Sequence, residues 1–254
     1  MRERIIQSFM TYYTIALAEH EGAGTAYEYF MKAKVITRFL RSKSGSPKTV
    51  LIAGLPEKYG FSFDFVLLSQ LLGAELKVID DRQERLDEFQ NIYQKLTEAG
   101  NIQSPPLKRE KVDDLTEFSS AEKADLAISC EVVQRLENQS GYFQSVSGCA
   151  GELILFAPNA ENSSHAGQSG LRTIALKQMR DLLSQTGRSV GDSGYIDMPP
   201  FPPGISRSED QREKAQTGFV ERFAFQVFLV WGNSERFFPR SIREKNSHIV
   251  YVSS

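Results

Sequence analysis

The chain has 254 residues, of which 41% are hydrophobic and 24% are charged, proportions typical of a globular protein rather than a disordered chain or a coiled coil. Lys and Arg number 30 against 32 Asp and Glu, a formal net charge of -2, whereas nucleic-acid-binding proteins usually carry a basic surplus. No apolar run approaches the roughly 18 residues of a membrane span. We therefore expect a cytoplasmic protein that contacts neither nucleic acid nor membrane.

The cysteines and histidines give no sign of a metal site. They stand at Cys130, Cys149, His20, His165 and His248. Because none of these spacings matches a structural or catalytic metal motif, we expect no metal. Cys130 follows one predicted strand and Cys149 precedes the next, which places the two thiols at opposite ends of neighbouring parallel strands and predicts that both stay reduced.

Residues 1–42 predict a helical cap at the N-terminus. From Tyr27 to Phe39 the apolar side chains recur every three or four residues, as in an amphipathic helix. Gly22 and Gly24 interrupt the chain just before this stretch, which predicts two helices joined by a hinge. We expect residues 43–254 to form the second unit of the chain, an α/β domain.

Short apolar strands and amphipathic helices alternate through the middle of the chain. Strands are predicted at residues 49–53, 75–79, 107–112, 125–129 and 152–157, and helices at 63–72, 82–99, 131–146 and 171–186. Repeated units of this length imply a mostly parallel sheet covered by helices on both faces. The sequence therefore predicts a three-layer α/β sandwich.

The C-terminal part of the chain departs from this alternation. Two β-rich runs, 222–231 and 248–252, predict an antiparallel hairpin at the edge of the sheet. Residues 191–218, with four prolines between 199 and 203, predict a long insertion. Because the insertion follows a helix, we expect it to begin at the amino-terminal end of the strands. Packing on the sheet edge, packing on a second copy of the chain in a homo-oligomer, and closure over a substrate all remain open.

Ligands of an open parallel sheet bind beyond the carboxyl ends of the strands, so the residues there are the candidates for function. After the first predicted strand, Gly54 and Gly60 permit close approach of a ligand to the backbone. Asp80 ends the second strand, 26 residues beyond Gly54 (80 − 54), where a carboxylate can accept hydrogen bonds from two ribose hydroxyls. Alternatively, Asp80 or Asp81 caps the following helix.

Three blocks of sequence at strand ends carry a resemblance to a known family. They are Val78-Ile79-Asp80-Asp81, the fourth-strand block from Ala124 to Leu136, and the fifth-strand block from Gly151 to Asn159. With these blocks, residues 20–190 resemble the class I S-adenosylmethionine-dependent methyltransferases. The resemblance implies a mostly parallel seven-stranded sheet with a terminal antiparallel hairpin, S-adenosylmethionine as cofactor, and methyl transfer to a small-molecule acceptor. The cofactor-binding residues that it implies are Gly54, Glu57, Gly60, Asp80, Asp81, Asp113, Asp114 and Ser129.

The first loop departs from the family pattern. The family has an acidic residue followed by three alternating glycines, whereas Ile52 stands in the acidic place here and only Gly54 and Gly60 remain. Glu57 is then the candidate partner for the cofactor's ammonium group. The departure leaves open a noncatalytic binding or scaffold protein with the same fold. A nicotinamide-dependent oxidoreductase is a weaker alternative, because the loop lacks the G-x-G-x-x-G turn.

The substrate side of the crevice offers two candidate catalytic residues, His165 and Glu131. His165 lies in a polar loop after the fifth strand and can take a proton from a nucleophile, or be a solvated loop residue. Glu131 either contacts the substrate or is a first-turn acid favoured by the helix dipole. The candidate substrate-binding residues are Asn159, Arg236, Phe237 and Arg240. The last three fall in 232–247, predicted to link the final two strands on the crevice side, with a solvated hairpin loop as the alternative.

Overall fold

The computed structural model of the protein describes residues 2–43, 45–103, 106–164, 167, 170–200 and 219–254. Two helices open the chain, α1 (Arg2–Ala18) and α2 (Ala23–Arg41), with Gly22 at the N-cap of the second. They pack against each other, and α1 also packs against α7 (Phe219–Ser234). Within the described residues, no helix is both long and apolar enough to cross a membrane.

The seven strands form one sheet, and their bounds are β1 Thr49–Ala53, β2 Glu75–Asp80, β3 Leu107–Lys111, β4 Ala124–Cys130, β5 Ala150–Pro158, β6 Asp192–Ile196 and β7 Ile249–Ser253. Their spatial order is β3-β2-β1-β4-β5-β7-β6. Only β7 runs against its two neighbours, and the other pairings are parallel. This topology confirms the predicted α/β fold with its mostly parallel seven-stranded sheet and terminal antiparallel pairing.

The central strands β1, β4 and β5 are buried because helices cover both faces of the sheet. The remaining helices are α3 (Phe63–Leu72), α4 (Gln83–Glu98), α5 (Gln139–Cys149), α6 (Leu176–Gln185) and α8 (Arg240–Asn246). Val50 and Ile52 point to the face covered by α1 to α4, and Leu51 and Ala53 to the face covered by α5 and α6. Since successive side chains of a strand alternate between faces, both sets must be apolar, which explains the continuous apolar runs.

The predicted strand at 222–231 is wrong, because these residues belong to helix α7. Phe225, Phe228 and Leu229 recur at helical spacing and pack toward α1. The Phe9 ring lies 5.1 Å from that of Phe225 and 5.7 Å from that of Phe228. A short apolar run of this kind fits a strand and a buried helix equally well, so periodicity alone could not decide between them.

The first strand of the terminal pairing is instead β6, which lies inside the segment predicted as an insertion. Its residues Asp192–Ile196 pair antiparallel with β7. Because β7 is antiparallel to both neighbours, β6 runs in the same direction as β5. The 191–218 segment therefore begins at the amino-terminal edge of the strands, as expected, but β6 then carries the chain across the sheet, and the chain leaves β6 at the carboxyl edge. Residues 201–218 lie outside the described part of the chain.

The helix predicted at 131–146 is also wrong in its bounds. One turn of 3₁₀ helix spans Val133–Arg135, and α5 begins only after Asn138, whose Oδ1 accepts a hydrogen bond from the Gly141 backbone N at 2.9 Å. Both cysteines are buried and free, as predicted. Cys130 ends β4 and Cys149 precedes β5, and the register of these strands keeps them at opposite edges of the sheet.

Candidate functional site

Six strands that run in the same direction, β1 to β6, end at the carboxyl edge of the sheet, and β7 begins there. The residues there are Gly54 after β1, Asp80 at the end of β2, Glu131 after β4, Asn159 after β5, Asp197 after β6 and His248 before β7. Open α/β sheets bind their ligands at this edge. This edge is therefore the candidate site.

Asp80 is fully buried and is held by the chain itself. Its Oδ2 accepts hydrogen bonds from the Leu55 backbone N at 2.6 Å and from Arg82 Nη2 at 3.0 Å. Its Oδ1 accepts from the Arg82 backbone N at 2.9 Å and from Arg82 Nε at 2.8 Å. The residue at the N-cap of α4 is Arg82, so the alternative that Asp80 or Asp81 caps this helix is wrong.

A second arginine neutralises Asp81. Arg135, in the 3₁₀ turn after β4, places Nη2 2.7 Å from Asp81 Oδ1 and Nη1 3.3 Å from Asp81 Oδ2. Burial raises the pKa of Asp81, but the hydrogen bonds and charge of Arg135 outweigh it and hold the pKa below its ordinary value. Arg135 Nη2 also lies 3.5 Å from Asp80 Oδ2. Sequence reasoning gave the two acids and missed both arginines.

Gly54 has a φ of 91° and is enclosed by apolar side chains. A Cβ at this position would lie 2.8 Å from Val132 Cγ1 and 3.1 Å from Leu115 Cδ1. Glycine is therefore required here for its backbone conformation and for the close packing of these two side chains. The space above Gly54 is filled by the protein in this structure.

The rest of the first loop bends toward β4 and the N-terminal helices. The Glu57 backbone N donates to the Glu131 carbonyl O at 3.0 Å, and Gln134 Nε2 donates to Glu57 Oε2 at 3.3 Å. Gly60 also has a positive φ, and a Cβ on it would lie 2.4 Å from the Tyr29 hydroxyl of α2. Gly60 thus serves packing against the helical cap.

Glu131 is buried and has a φ of 55°, in the left-handed region. Its Oε2 lies 3.5 Å from the Tyr59 backbone N. Burial, followed by the negative charge of Glu28, raises the pKa of Glu131 to about 8. A carboxyl with this pKa holds its proton at neutral pH and can exchange it, which is a property of acid–base groups.

Helix α2 adds ionisable groups that sequence reasoning missed. Lys32 is 1% exposed, and its Nζ lies 2.9 Å from Glu28 Oε1 and 3.2 Å from Asp64 Oδ2. Lys32 Nζ also stands 4.7 Å and 4.8 Å from the ring centroids of Tyr29 and Phe65. The sequence did contain a signal for this buried ion pair. Lys32 stands on the apolar face of its helix, and Asp64 stands in the apolar run of α3.

An aspartate–histidine pair occupies the end of β6 and the start of β7. Asp197, with a φ of 64°, places Oδ2 3.2 Å from His248 Nδ1. Burial lowers the pKa of His248, but the charge and hydrogen bond of Asp197 outweigh it and raise the pKa above its ordinary value. Nearby, Glu235 Oε1 accepts hydrogen bonds from the Tyr27 hydroxyl at 2.5 Å and from the Met198 backbone N at 2.8 Å.

Three of the remaining predicted cofactor residues, Asp113, Asp114 and Ser129, are scattered. Asp113 and Asp114 follow β3 in an exposed turn, where Asp114 Oδ1 accepts a hydrogen bond from the Thr116 backbone N at 2.7 Å. Ser129 is buried within β4. These placements bring only Ser129 close to the buried part of the edge.

The predicted substrate residues are also spread out. Asn159 is fully buried, and its Nδ2 donates to the carbonyl O atoms of Glu244 and Ser247 at 2.8 Å each, which fixes α8 against β5. Phe237 is 73% exposed, and the guanidinium of Arg236 stacks on its ring at 4.6 Å. Arg240 begins α8. Residues 232–247 are mostly helical, with the end of α7, a 3₁₀ turn at Glu235–Phe237 and α8, rather than a hairpin loop. His165 lies outside the described residues.

Comparisons with known proteins agree with this fold. No protein-family model matches the sequence, and no curated protein matches it. Among solved structures, a chain from the complex of the Haloferax volcanii Trm112 methyltransferase activator with a protein assigned as a methyltransferase is similar with a TM-score of 0.53. It is 12% identical, and the match covers 89% of each chain.

Two further structures show how broadly the fold is used. The [4+2]-cyclase SpnF matches with a TM-score of 0.52 and 12% identity, over 87% of this chain and 80% of its own. The geranyl diphosphate C-methyltransferase of Streptomyces coelicolor A3(2), in complex with S-adenosyl-L-homocysteine, matches with a TM-score of 0.50 and 10% identity. The match covers 87% of this chain and 74% of its own. The protein has the class I S-adenosylmethionine-dependent methyltransferase fold. Because one of these neighbours is a cyclase, the fold alone does not specify the reaction.

Proposed function

We propose that the protein binds S-adenosylmethionine at the carboxyl edge of its sheet and transfers the methyl group to a small-molecule acceptor. The observation that carries this proposal is Asp80, a buried carboxylate at the end of β2 that is hydrogen-bonded to the loop after β1. In a fold of this class, a carboxylate at that place accepts hydrogen bonds from the ribose of a nucleoside.

The fit of this cofactor depends on Arg82. Each Asp80 oxygen already accepts two hydrogen bonds, and Arg82 supplies three of the four donors. The Arg82 side chain retains 22% of its exposure, and its Nη2 also donates to the Leu55 carbonyl O at 2.8 Å. The guanidinium can therefore turn into solvent while Leu55 N keeps the carboxylate in place. Once Arg82 has turned away, the carboxylate of Asp80 is available to the ribose of the cofactor.

In that arrangement the residues of the chain have separate tasks. Asp80 accepts the ribose hydroxyls, and the backbone of the loop after Gly54 approaches the rest of the cofactor. The bound cofactor supplies an activated methyl group. Glu131, with a pKa of about 8, holds a proton at neutral pH on the acceptor side of the edge and becomes a base above that pKa. Alignment of the acceptor by buried side chains contributes much of the rate of such a transfer.

A noncatalytic binding protein is the second candidate, and a specific observation favours it. Val132 and Leu115 pack over Gly54, and Arg82 holds Asp80, so the chain fills its own nucleoside position. If this filling is permanent, no cofactor enters. The two candidates differ in whether removal of the arginine, or its displacement, allows a nucleoside to bind.

Isothermal titration calorimetry with S-adenosylhomocysteine tests the proposal. Wild-type protein should bind, and Arg82→Ala should bind at least fivefold more tightly, because the ribose no longer competes with a charge-assisted pair. Arg180→Ala, on an exposed position of α6, is the matched control and should leave the affinity unchanged. Absence of binding by both wild type and Arg82→Ala would favour the noncatalytic candidate.

A further inference from the structure

Five buried or half-buried carboxyl groups converge near the ends of β4 and β6, beneath helix α2. We call Glu28, Asp64, Glu131, Asp197 and Glu235 the carboxylate cluster. Glu28 is central to the cluster. Its Oε1 lies 2.9 Å from Lys32 Nζ and 3.5 Å from the sulfur of Cys130, the residue that precedes Glu131 in the sequence. Glu28 also acts electrostatically on Asp197 and His248 at the other end of the group.

The cluster contains more carboxyl groups than cationic groups. In the described part of the chain, three cationic side chains act on the five carboxyls: Lys32, the partly buried His248, and Lys34, which acts on Glu235. Burial of uncompensated carboxylates is costly, and such groups respond by holding protons. Accordingly, burial raises the pKa of Asp64 to about 6 and that of Glu235 to about 7.

The hydrogen bonding of the cluster is incomplete as well. Glu235 is 2% exposed, and its Oε2 accepts no hydrogen bond within the described residues, although its Oε1 accepts two. Asp64 is 4% exposed, and its Oδ1 likewise lacks a donor. Buried acceptors in folded proteins almost always have a donor. These two oxygens therefore mark places where a donor is missing.

We propose that the carboxylate cluster binds a ligand bearing a protonated amine. An ammonium group supplies a positive charge and up to three hydrogen-bond donors, which are the two things the cluster lacks. An anionic ligand meets repulsion there, and a neutral ligand leaves the charge unbalanced. Glu28 and His248 keep 16% and 17% of their side-chain exposure, so they form the side from which the ligand enters.

This ligand is the methyl acceptor of the reaction proposed above, an assignment that rests on that proposed function. The cluster lies at the same edge as Asp80, on the side of β4 away from β2. A ligand held between Glu28 and Asp197 thus lies beside the cofactor position rather than in it. The class of acceptor that the geometry favours is an amine, and Glu131 can receive the ammonium proton only after it has lost its own.

Three probes of one shape test the binding. 2-Phenylethylammonium, 2-phenylethanol and phenylacetate differ mainly in charge, and each is titrated into the wild-type protein by calorimetry at pH 7. The cation should bind at least tenfold more tightly than the alcohol or the carboxylate. Equal affinities for the three probes, or no binding of the cation, would overturn the proposal.

Variants localise the site. Glu28→Gln should weaken binding of 2-phenylethylammonium at least fivefold, whereas Glu98→Gln, at the exposed end of α4, should not change it. If Glu28→Gln does not fold, Asp197→Asn takes its place. Unchanged binding in a folded variant would refute the site. If the protein binds 2-phenylethylammonium but not S-adenosylhomocysteine, the proposed function alone is refuted. If it binds S-adenosylhomocysteine but not 2-phenylethylammonium, this inference alone is refuted.

Discussion

Replacement of Lys32 by methionine tests the electrostatics of the protein interior most directly. Methionine keeps most of the length and apolar character of the side chain and removes the ammonium group. The change deletes the ion pairs to Glu28 at 2.9 Å and to Asp64 at 3.2 Å. It also removes the cation from two aromatic rings.

The expected loss follows from the burial of the partners that remain. Asp64 keeps 2% of its side-chain exposure and cannot regain water, whereas Glu28 keeps 16% and partly can. Removing one partner of a buried pair costs about 3–5 kcal/mol, because the other charge is left uncompensated. We expect Lys32→Met to lower the free energy of unfolding by that amount at pH 7.5.

The loss should depend on pH, and its direction is fixed by Asp64. Burial raises the pKa of Asp64 to about 6 in the wild type even though Lys32 lowers it, so the variant has a still higher pKa. When the pKa of a carboxyl is higher in the folded protein than its unfolded value of about 3.9, the free energy of unfolding falls as pH rises through the folded pKa. At pH 5 the carboxyl is protonated in the variant, and the destabilisation should shrink to less than about half.

Urea denaturation followed by circular dichroism at pH 5.0 and 7.5 measures both quantities. Lys95→Met, at an exposed position of α4, serves as the control and should change stability by less than about 0.5 kcal/mol. A loss below about 1 kcal/mol at pH 7.5, or an equal loss at both pH values, would refute the account of a buried, uncompensated Asp64.

Three further predictions concern other parts of the structure. Burial raises the pKa of Glu19 to about 8, so wild-type stability should fall as pH rises from 6 to 9, and Glu19→Gln should flatten this decline in urea melts. Gly54→Ala places a methyl group 2.8 Å from Val132 at a φ of 91°. It should cost about 2 kcal/mol or more in thermal unfolding, partly recovered by Val132→Ala. Cys130 and Cys149 are buried and free, so a thiol reagent should label both in urea and neither in the native protein.

The central strands could be predicted because burial on both faces leaves a clear pattern. Val50 to Ala53 is a continuous apolar run, and its position between turn residues fits only a short buried strand. The failures lie where the local signal is ambiguous or weak. In β6 only Tyr195 and Ile196 are buried, and Asp192, at the start of the strand, gives no apolar pattern. The strand forms because β7 offers it an antiparallel partner.

The candidate site was predictable only in part. The position of Asp80 follows from the end of its strand, which is a local property of the chain. Its partner Arg82 is two residues away, but no sequence rule states that its guanidinium folds back onto the acid. Glu28 and Lys32 are four residues apart on α2, a spacing that the sequence does show, whereas Asp64 meets Lys32 from α3. The contact between Lys32 and Asp64 depends on packing between helices, and no sequence spacing predicts it.

The position of β7 has a consequence for how the sheet is completed. This strand lies between β5 and β6, yet residues 197–248 separate it from β6 along the chain. During synthesis from the N-terminus, β6 leaves the ribosome with no neighbour, since β5 pairs with β7 and not with β6 directly. Closing such a long loop is slow and leaves strand edges open to other chains. Docking of β7 is therefore the step that seals the sheet, and aggregation during folding should be greatest just before it.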